Sequence, residues 1–109
     1  MCGRFAQIRE EEELMKSLSV HHCEVSVETS YNIAPGADIS IIHQQDGRRV
    51  LDSRRWGLIP FWAKEGGRGM INARSETVSE KPSFRHAFSK RRCLIPSSGF
   101  YEWEKTENG

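Results

Sequence analysis

No stretch of this 109-residue chain approaches the ~18–20 consecutive apolar residues of a membrane-spanning helix. The opening Met-Cys-Gly-Arg also lacks the apolar core of a secretory signal. Cysteine is scarce. The three present, Cys2, Cys23 and Cys93, make an odd and scattered set, which argues against a disulfide scaffold and for a reducing compartment. Cys2 is therefore expected to be a free thiol. Internal repeats and low-complexity segments are missing, and a formal net charge of +1 singles out no class of partner by itself. From these absences a cytoplasmic protein with no membrane partner is expected.

What is present is the composition of a small globular domain, with 37% hydrophobic and 28% charged residues. Charge is unevenly spread. Residues 1–46 carry three Lys/Arg against eight Asp/Glu, whereas residues 48–92 carry twelve against four. The basic stretch is interleaved with Trp56, Phe61, Trp62, Phe84 and Phe88, a pattern that suits a polyanion. An ordinary solvated surface with local ion pairs would read the same way.

Local patterns predict an α+β domain with mostly antiparallel strands and two short helices. Over Arg9 to Ser19, Leu14, Met15 and Leu18 fall on one helical face. The acidic first turn, Glu10 to Glu13, is what a helix N-terminus favours, so it needs no metal to explain it. Asp46-Gly47 lies between apolar segments at Ile39–Ile42 and Val50–Leu51 and predicts a hairpin. A strand broken at Pro60 is expected over Trp56–Trp62, with Trp56 in the core, and a flexible loop at Gly66, Gly67 and Gly69. Pro82–Lys90 reads as a helix with Phe84 and Phe88 paired four residues apart. Cys93–Ile95 and Phe100–Trp103 read as strands joined by a Pro-Ser-Ser-Gly turn. The terminal Asn108-Gly109 is a hairpin turn signal with no strand after it, so the chain is expected to be incomplete at its C-terminus.

Cys2 stands directly behind the initiator methionine. Removal of Met1 would leave an α-amine and a thiol on adjacent carbons. The amine titrates near ~7.7–8.0 against ~10.4 for lysine, so roughly 10–20% of it is free base at pH 7. A free amine condenses with an aldehyde to an imine. The neighbouring thiol can then close a five-membered thiazolidine, helped by the high effective molarity of a held reactant. The competing reading is a chance cysteine packed in a small core.

Several ordered segments carry a resemblance. They are Met1–Phe5 (MCGRF), Tyr31–Gly36 (YNIAPG), Arg55–Pro60 (RWGLIP) with Trp62, Ile71–Thr77 (INARSET), Arg92–Pro96 (RCLIP) and Gly99–Trp103 (GFYEW). Together they resemble the SRAP family, abasic-site-processing proteins historically called SOS-response-associated peptidases. The resemblance implies a partly open β-barrel of mainly antiparallel strands with short helices, of which residues 1–109 are the N-terminal portion. It also implies a covalent cross-link between Cys2 and an abasic site in single-stranded DNA, formed without a cofactor or metal, by a nucleoid-associated protein that is monomeric. Carried over by motif, Cys2 is the nucleophile, Asn72 lies beside it, and Glu102 is the acid/base residue. Arg4, Asn32, Pro35, Trp62, Arg74 and Trp103 would line the DNA groove.

Each residue type suits its implied role. A carboxyl can deliver the proton needed for loss of water on the way to an imine. Asn72 can donate and accept. Arginine grips phosphates with a fork, and tryptophan stacks on bases. One departure stands out: the family's second half supplies a histidine in a His-Asp-Arg-type motif, and His21, His22, His43 and His86 all lie in other contexts.

Three other functions remain open at this level. A cysteine peptidase would need a base within reach of the thiol. Zinc binding through His21, His22 and Cys23 is disfavoured, because three adjacent residues converge poorly on one ion. A non-covalent single-strand binder would use the basic stretch without chemistry.

Overall fold

The computed structural model describes residues 2–63 and 69–106. Gly66 and Gly67 of the expected loop, and the Asn108-Gly109 turn, lie outside the described residues. The elements in order are β1 (Phe5–Gln7), α1 (Glu11–Ser17), β2 (His22–Cys23), β3 (Ser30–Ile33), β4 (Asp38–Gln45), β5 (Arg48–Arg55), α2 (Arg85–Lys90) and β6 (Gly99–Phe100). They form two three-stranded sheets, ordered β3-β1-β6 and β2-β5-β4. The class is α+β, as expected, and among the described residues the sheets do not close into a barrel.

The β4–β5 hairpin is the framework. Asp46 and Gly47 take φ of 52° and 77°, two left-handed residues in a row. That is the mirror-image turn whose twist matches the flanking strands. Its register is continuous from Asp38 opposite Arg55 to Gln45 opposite Arg48. Side chains alternate across a strand, and here both faces are covered. Ile39 and Ile41 pack with Phe5 on one side, joined by Cys2, Ile33 and Trp56. Ile42 and its cross-strand partner Leu51 pack with Leu14 and Val20 on the other.

Helix α1 supplies that second cover. Leu14 is fully buried, and Met15 and Leu18 pack beside it. Glu11, Glu12 and Glu13 occupy the first turn and Lys16 the last, the arrangement that suits the helix dipole. The chain then returns as β2, which runs parallel to β5 with Cys23 opposite Leu51. This is the exception to the antiparallel expectation.

Several expected elements shorten. Trp56–Trp62 is not a strand: among the described residues its one ladder bridge joins Leu58 to Met70. The reason is a backbone crossing. Gly57 has φ of 139° and Gly69 of 80°, and a Cβ on Gly69 would meet Gly57 backbone atoms at 2.7–2.9 Å. Likewise Cys93–Ile95 reduces to a bridge between Leu94 and Ile42, and of Phe100–Trp103 only Phe100 is in a strand. Helix α2 begins at Arg85, after turns, and Phe88 lies under the Arg92 guanidinium, 4.6 Å from its ring centroid.

Two consequences can be measured. Leu51 is wholly buried at the centre of the hairpin, so Leu51→Ala should lower unfolding stability by about 2–5 kcal/mol in urea titrations. Asp52 accepts from the Ser53 N–H at 2.8 Å and pairs with Arg54 at 2.9 Å; these contacts, the backbone one foremost, hold its carboxyl below the usual aspartate range. Folding therefore favours its ionised form. The stability it contributes is complete above the ordinary aspartate range and is lost as pH falls through the lowered native value. The gap in urea midpoint between wild type and Asp52→Asn should hold steady near neutrality and close in acid; a gap that widens in acid would contradict this.

Candidate functional site

Strand β1 sits at the centre of its sheet, with Phe5 opposite both Ile33 of β3 and Phe100 of β6. The ladder extends past β6, where Tyr101 N–H donates to the Arg4 carbonyl at 3.0 Å. Residues 2–4, the Tyr31-Asn32 pair and Tyr101–Trp103 therefore converge at one end of the sheet. They enclose a groove of about 880 Å³ whose walls are Gly3, Arg4, Tyr31, Asn32, Tyr101, Glu102 and Trp103. Two hydrogen bonds brace it. Arg4 Nη1 donates to Asn32 Oδ1 at 3.0 Å, and the Tyr101 hydroxyl donates to the Tyr31 carbonyl at 2.8 Å.

Cys2 lies just before β1, half-buried against the Phe5–Ile39–Ile41 cluster. Its backbone nitrogen donates to Asn72 Oδ1 at 3.3 Å, and its Sγ lies 3.7 Å from the Arg4 carbonyl. Seventy residues separate Cys2 from Asn72 in the chain, so something must hold the 70–72 segment in place. Trp56 does so. Its ring meets Phe5 edge-on, with centroids 5.5 Å apart and planes at 65°, and its Nε1–H donates to the Ile71 carbonyl at 3.1 Å. The Leu58–Met70 bridge anchors the same segment one residue earlier.

The structure thus brings Cys2 and Asn72 together, and Arg4, Asn32, Glu102 and Trp103 around one adjoining groove. Glu102 is exposed there, and Trp103 is 97% exposed. The other three expected residues lie elsewhere. Trp62, 58% exposed, lines a separate concavity of about 700 Å³. Pro35 is in the β3–β4 turn, next to Gly36, whose N–H donates to the Trp56 carbonyl at 2.8 Å. Arg74 is exposed on a turn, its carbonyl accepting from Thr77 and Val78. Sequence reasoning overlooked Tyr31, Tyr101 and the bracing role of Trp56. The paired tyrosines inside two of the quoted motifs were the available signal.

No histidine lines the groove among the described residues. His21 Nδ1 accepts from the Arg49 N–H, His22 faces Glu24 at 3.0 Å, and His43 Nε2 lies 3.5 Å from Asp52 without a hydrogen bond. Cys23 Sγ donates to Glu11 Oε1 at 2.7 Å and to the Val25 carbonyl at 2.8 Å. Burial, with the Glu11 carboxylate, pushes its thiol up, so Cys23 is held as a neutral donor. Burial also raises the Cys93 thiol, with Arg54 opposing. Among the described residues no cluster of three or more His, Cys, Asp or Glu could hold a metal ion, and no helix is long and apolar enough to cross a membrane.

The chain is similar to several known proteins. The chain is 42% identical to the abasic site processing protein YoqW of Bacillus subtilis, covering 98% of this chain and 50% of that protein. It is 31% identical to the abasic site processing protein YedK of Escherichia coli over 96% of this chain and 49% of the relative. With the rat abasic site processing protein HMCES it shares 35% identity, over 72% of this chain and 26% of that one. A crystal structure of a Bordetella bronchiseptica protein superposes with a TM-score of 0.71 at 26% identity, covering 93% of this chain and 50% of that one. The chain spans about half the length of the bacterial relatives it matches. A family model described as SOS response associated peptidase (SRAP) matches residues 1–109, and the chain belongs to that family.

Proposed function

We propose that the protein processes abasic sites in single-stranded DNA by trapping the lesion on Cys2 once Met1 is removed. The observation that carries this reading is the 3.3 Å contact between the Cys2 nitrogen and Asn72 Oδ1, beside an open groove that holds Arg4 and Glu102. The relatives' description as abasic site processing proteins supports it.

With Met1 gone, the nitrogen that Asn72 holds is the α-amine. An Asn72 carbonyl accepting one of its N–H bonds would turn the lone pair toward an incoming aldehyde. Attack on C1 of the opened deoxyribose forms the C–N bond of a carbinolamine. Glu102 then donates a proton to the hydroxyl, which leaves as water, and the imine remains. The Cys2 thiol adds to the imine carbon as its proton passes to nitrogen, closing the thiazolidine with one water released overall. Arg4, braced by Asn32, keeps guanidinium donors for a flanking phosphate, and Trp103 offers a face for a neighbouring base. A cysteine peptidase finds no favouring observation here, since a thiolate needs an imidazole or equivalent base within reach.

The test incubates Met-free protein with a single-stranded oligonucleotide carrying one abasic site and reads the adduct on a denaturing gel. Cys2→Ala should abolish the shifted band. Glu102→Gln should slow its appearance by about 10²–10⁴-fold. Asn72→Ala, which leaves the amine unaimed, should slow it by up to about 10²-fold. Cys2→Ser should give an adduct that survives only after reduction, because an imine lacks the sulfur ring closure. Equal yield and durability from Cys2→Ala would refute the mechanism.

A further inference from the structure

The contact between Cys2 and Asn72 has no local cause. Asn72 stands in a stretch with neither helix nor strand, and hydrogen bonds from a distant segment hold the residues before it. Leu58 and Met70 exchange N–H to carbonyl bonds of 2.9 Å in both directions. Trp56 Nε1–H donates to the Ile71 carbonyl at 3.1 Å. This last bond bears most directly on aim. The Ile71 carbonyl and the Asn72 N–H belong to one planar peptide unit, so fixing the carbonyl fixes the plane from which Asn72 departs.

Trp56 is itself held at both ends. Its backbone N–H donates to the Ala37 carbonyl at 2.9 Å, and its own carbonyl accepts from the Gly36 N–H at 2.8 Å. Gly36 takes a φ of 90°, which a side chain would disfavour. The indole rests edge-on against Phe5, in the cluster where Cys2 also packs. One side chain is therefore referenced both to the strand after Cys2 and to the peptide before Asn72. Trp56 is not among the walls of the reaction groove, so its effect on the chemistry passes through the residues it holds.

We propose that Trp56 is a positioning residue for the trapping reaction: its indole N–H holds the Ile71–Asn72 peptide so that Asn72 Oδ1 faces the Cys2 nitrogen, and this sets the rate of the first C–N bond. The inference rests on the proposed function for the reaction itself, and it adds the residue that governs the aim of the amine. Packing alone would make no such demand, since a phenyl ring also fits edge-on against Phe5. The N–H donor is what phenylalanine lacks. A nucleophile misplaced by about 1 Å reacts up to about 10²-fold more slowly. Affinity for the strand depends instead on the groove, and the indole N–H leaves it unchanged.

The test keeps Met-free protein in excess over a single-stranded oligonucleotide with one abasic site. It reads the maximal rate of adduct formation and the protein concentration giving half that rate. Trp56→Phe retains a ring on Phe5 and removes the donor. Its maximal rate should fall by about tenfold, with the half-saturating concentration unchanged. The double variant Trp56→Phe/Asn72→Ala should react within about twofold of Asn72→Ala alone, because the indole acts through that amide. A tenfold loss that persists in the Asn72→Ala background overturns the proposal, since the role would then be structural. A wild-type rate from Trp56→Phe overturns it as well, and so does a change confined to the half-saturating concentration. Should Trp56→Phe not fold, hydrogen exchange of the indole N–H groups in wild-type protein provides the second measurement. The Trp56 N–H should exchange more than about tenfold more slowly than that of Trp103, which is 97% exposed; equal rates would overturn the proposal. The two readings fail differently. Wild-type trapping that Trp56→Phe leaves untouched defeats only the positioning role, whereas wild-type protein that forms no adduct defeats the chemistry on which that role rests.

Discussion

Everything distinctive about this molecule depends on the Trp56 indole. Its ring edge rests on Phe5, the first residue of β1, and its N–H reaches the Ile71 carbonyl. The two contacts are modest in energy: an edge-to-face aromatic pair contributes about 0.5–1.5 kcal/mol beyond burial, and a hydrogen bond about 1 kcal/mol net. Their value is geometric. They tie the segment bearing Asn72 to the strand that follows Cys2, two pieces of chain seventy residues apart. Gly57 and Gly69 make the same union possible one turn away, because their backbones approach too closely for a side chain at Gly69.

The β4–β5 hairpin transmits that arrangement to the rest of the fold. Its even-numbered β4 face, at Ile42, meets α1; its odd face, at Ile39 and Ile41, meets Phe5 and Cys2. A one-residue slip would carry Ile42 off the Leu14–Val20 cluster and Ile39 and Ile41 off Phe5, so both packings would be lost at once. Register is thus enforced by packing as well as by the left-handed Asp46-Gly47 turn. The position of the cysteine inherits the rigidity of the Phe5–Ile39–Ile41 cluster against which it packs. By contrast, the apolar surface at Tyr31, Phe61, Phe100 and Trp103 remains in water; Tyr31 and Trp103 lie at the groove and Phe61 along the other concavity.

Charge follows the same division. The carboxylates of residues 10–13 are absorbed by the first turn of α1 and by Arg9, which pairs with Glu13 at 3.8 Å. Arg54 of the middle segment pairs with Asp52, but Arg55 and Lys90–Arg92 share a cavity free of acids among the described residues. Linear asymmetry in charge therefore became spatial asymmetry, because the end of β5 and the end of α2 were brought to one face.

Local physics alone determined a good deal. Two consecutive residues suited to positive φ specified the hairpin, an acidic turn before Leu14 and Leu18 specified α1, and the chemistry open to an N-terminal cysteine follows from its functional groups wherever it sits. Motif resemblance located Cys2, Asn72 and Glu102 but could not order them in space. Tertiary structure decided that the segment after Trp56 is a glycine crossing rather than a strand, and that Trp62 belongs with the basic cavity rather than with Glu102. It also decided that Asn72 meets Cys2 at all. The reason is physical: periodicity and turn preference report on neighbours a few residues apart, whereas the closeness of two backbones and the aim of an indole N–H depend on chain segments that only packing brings together.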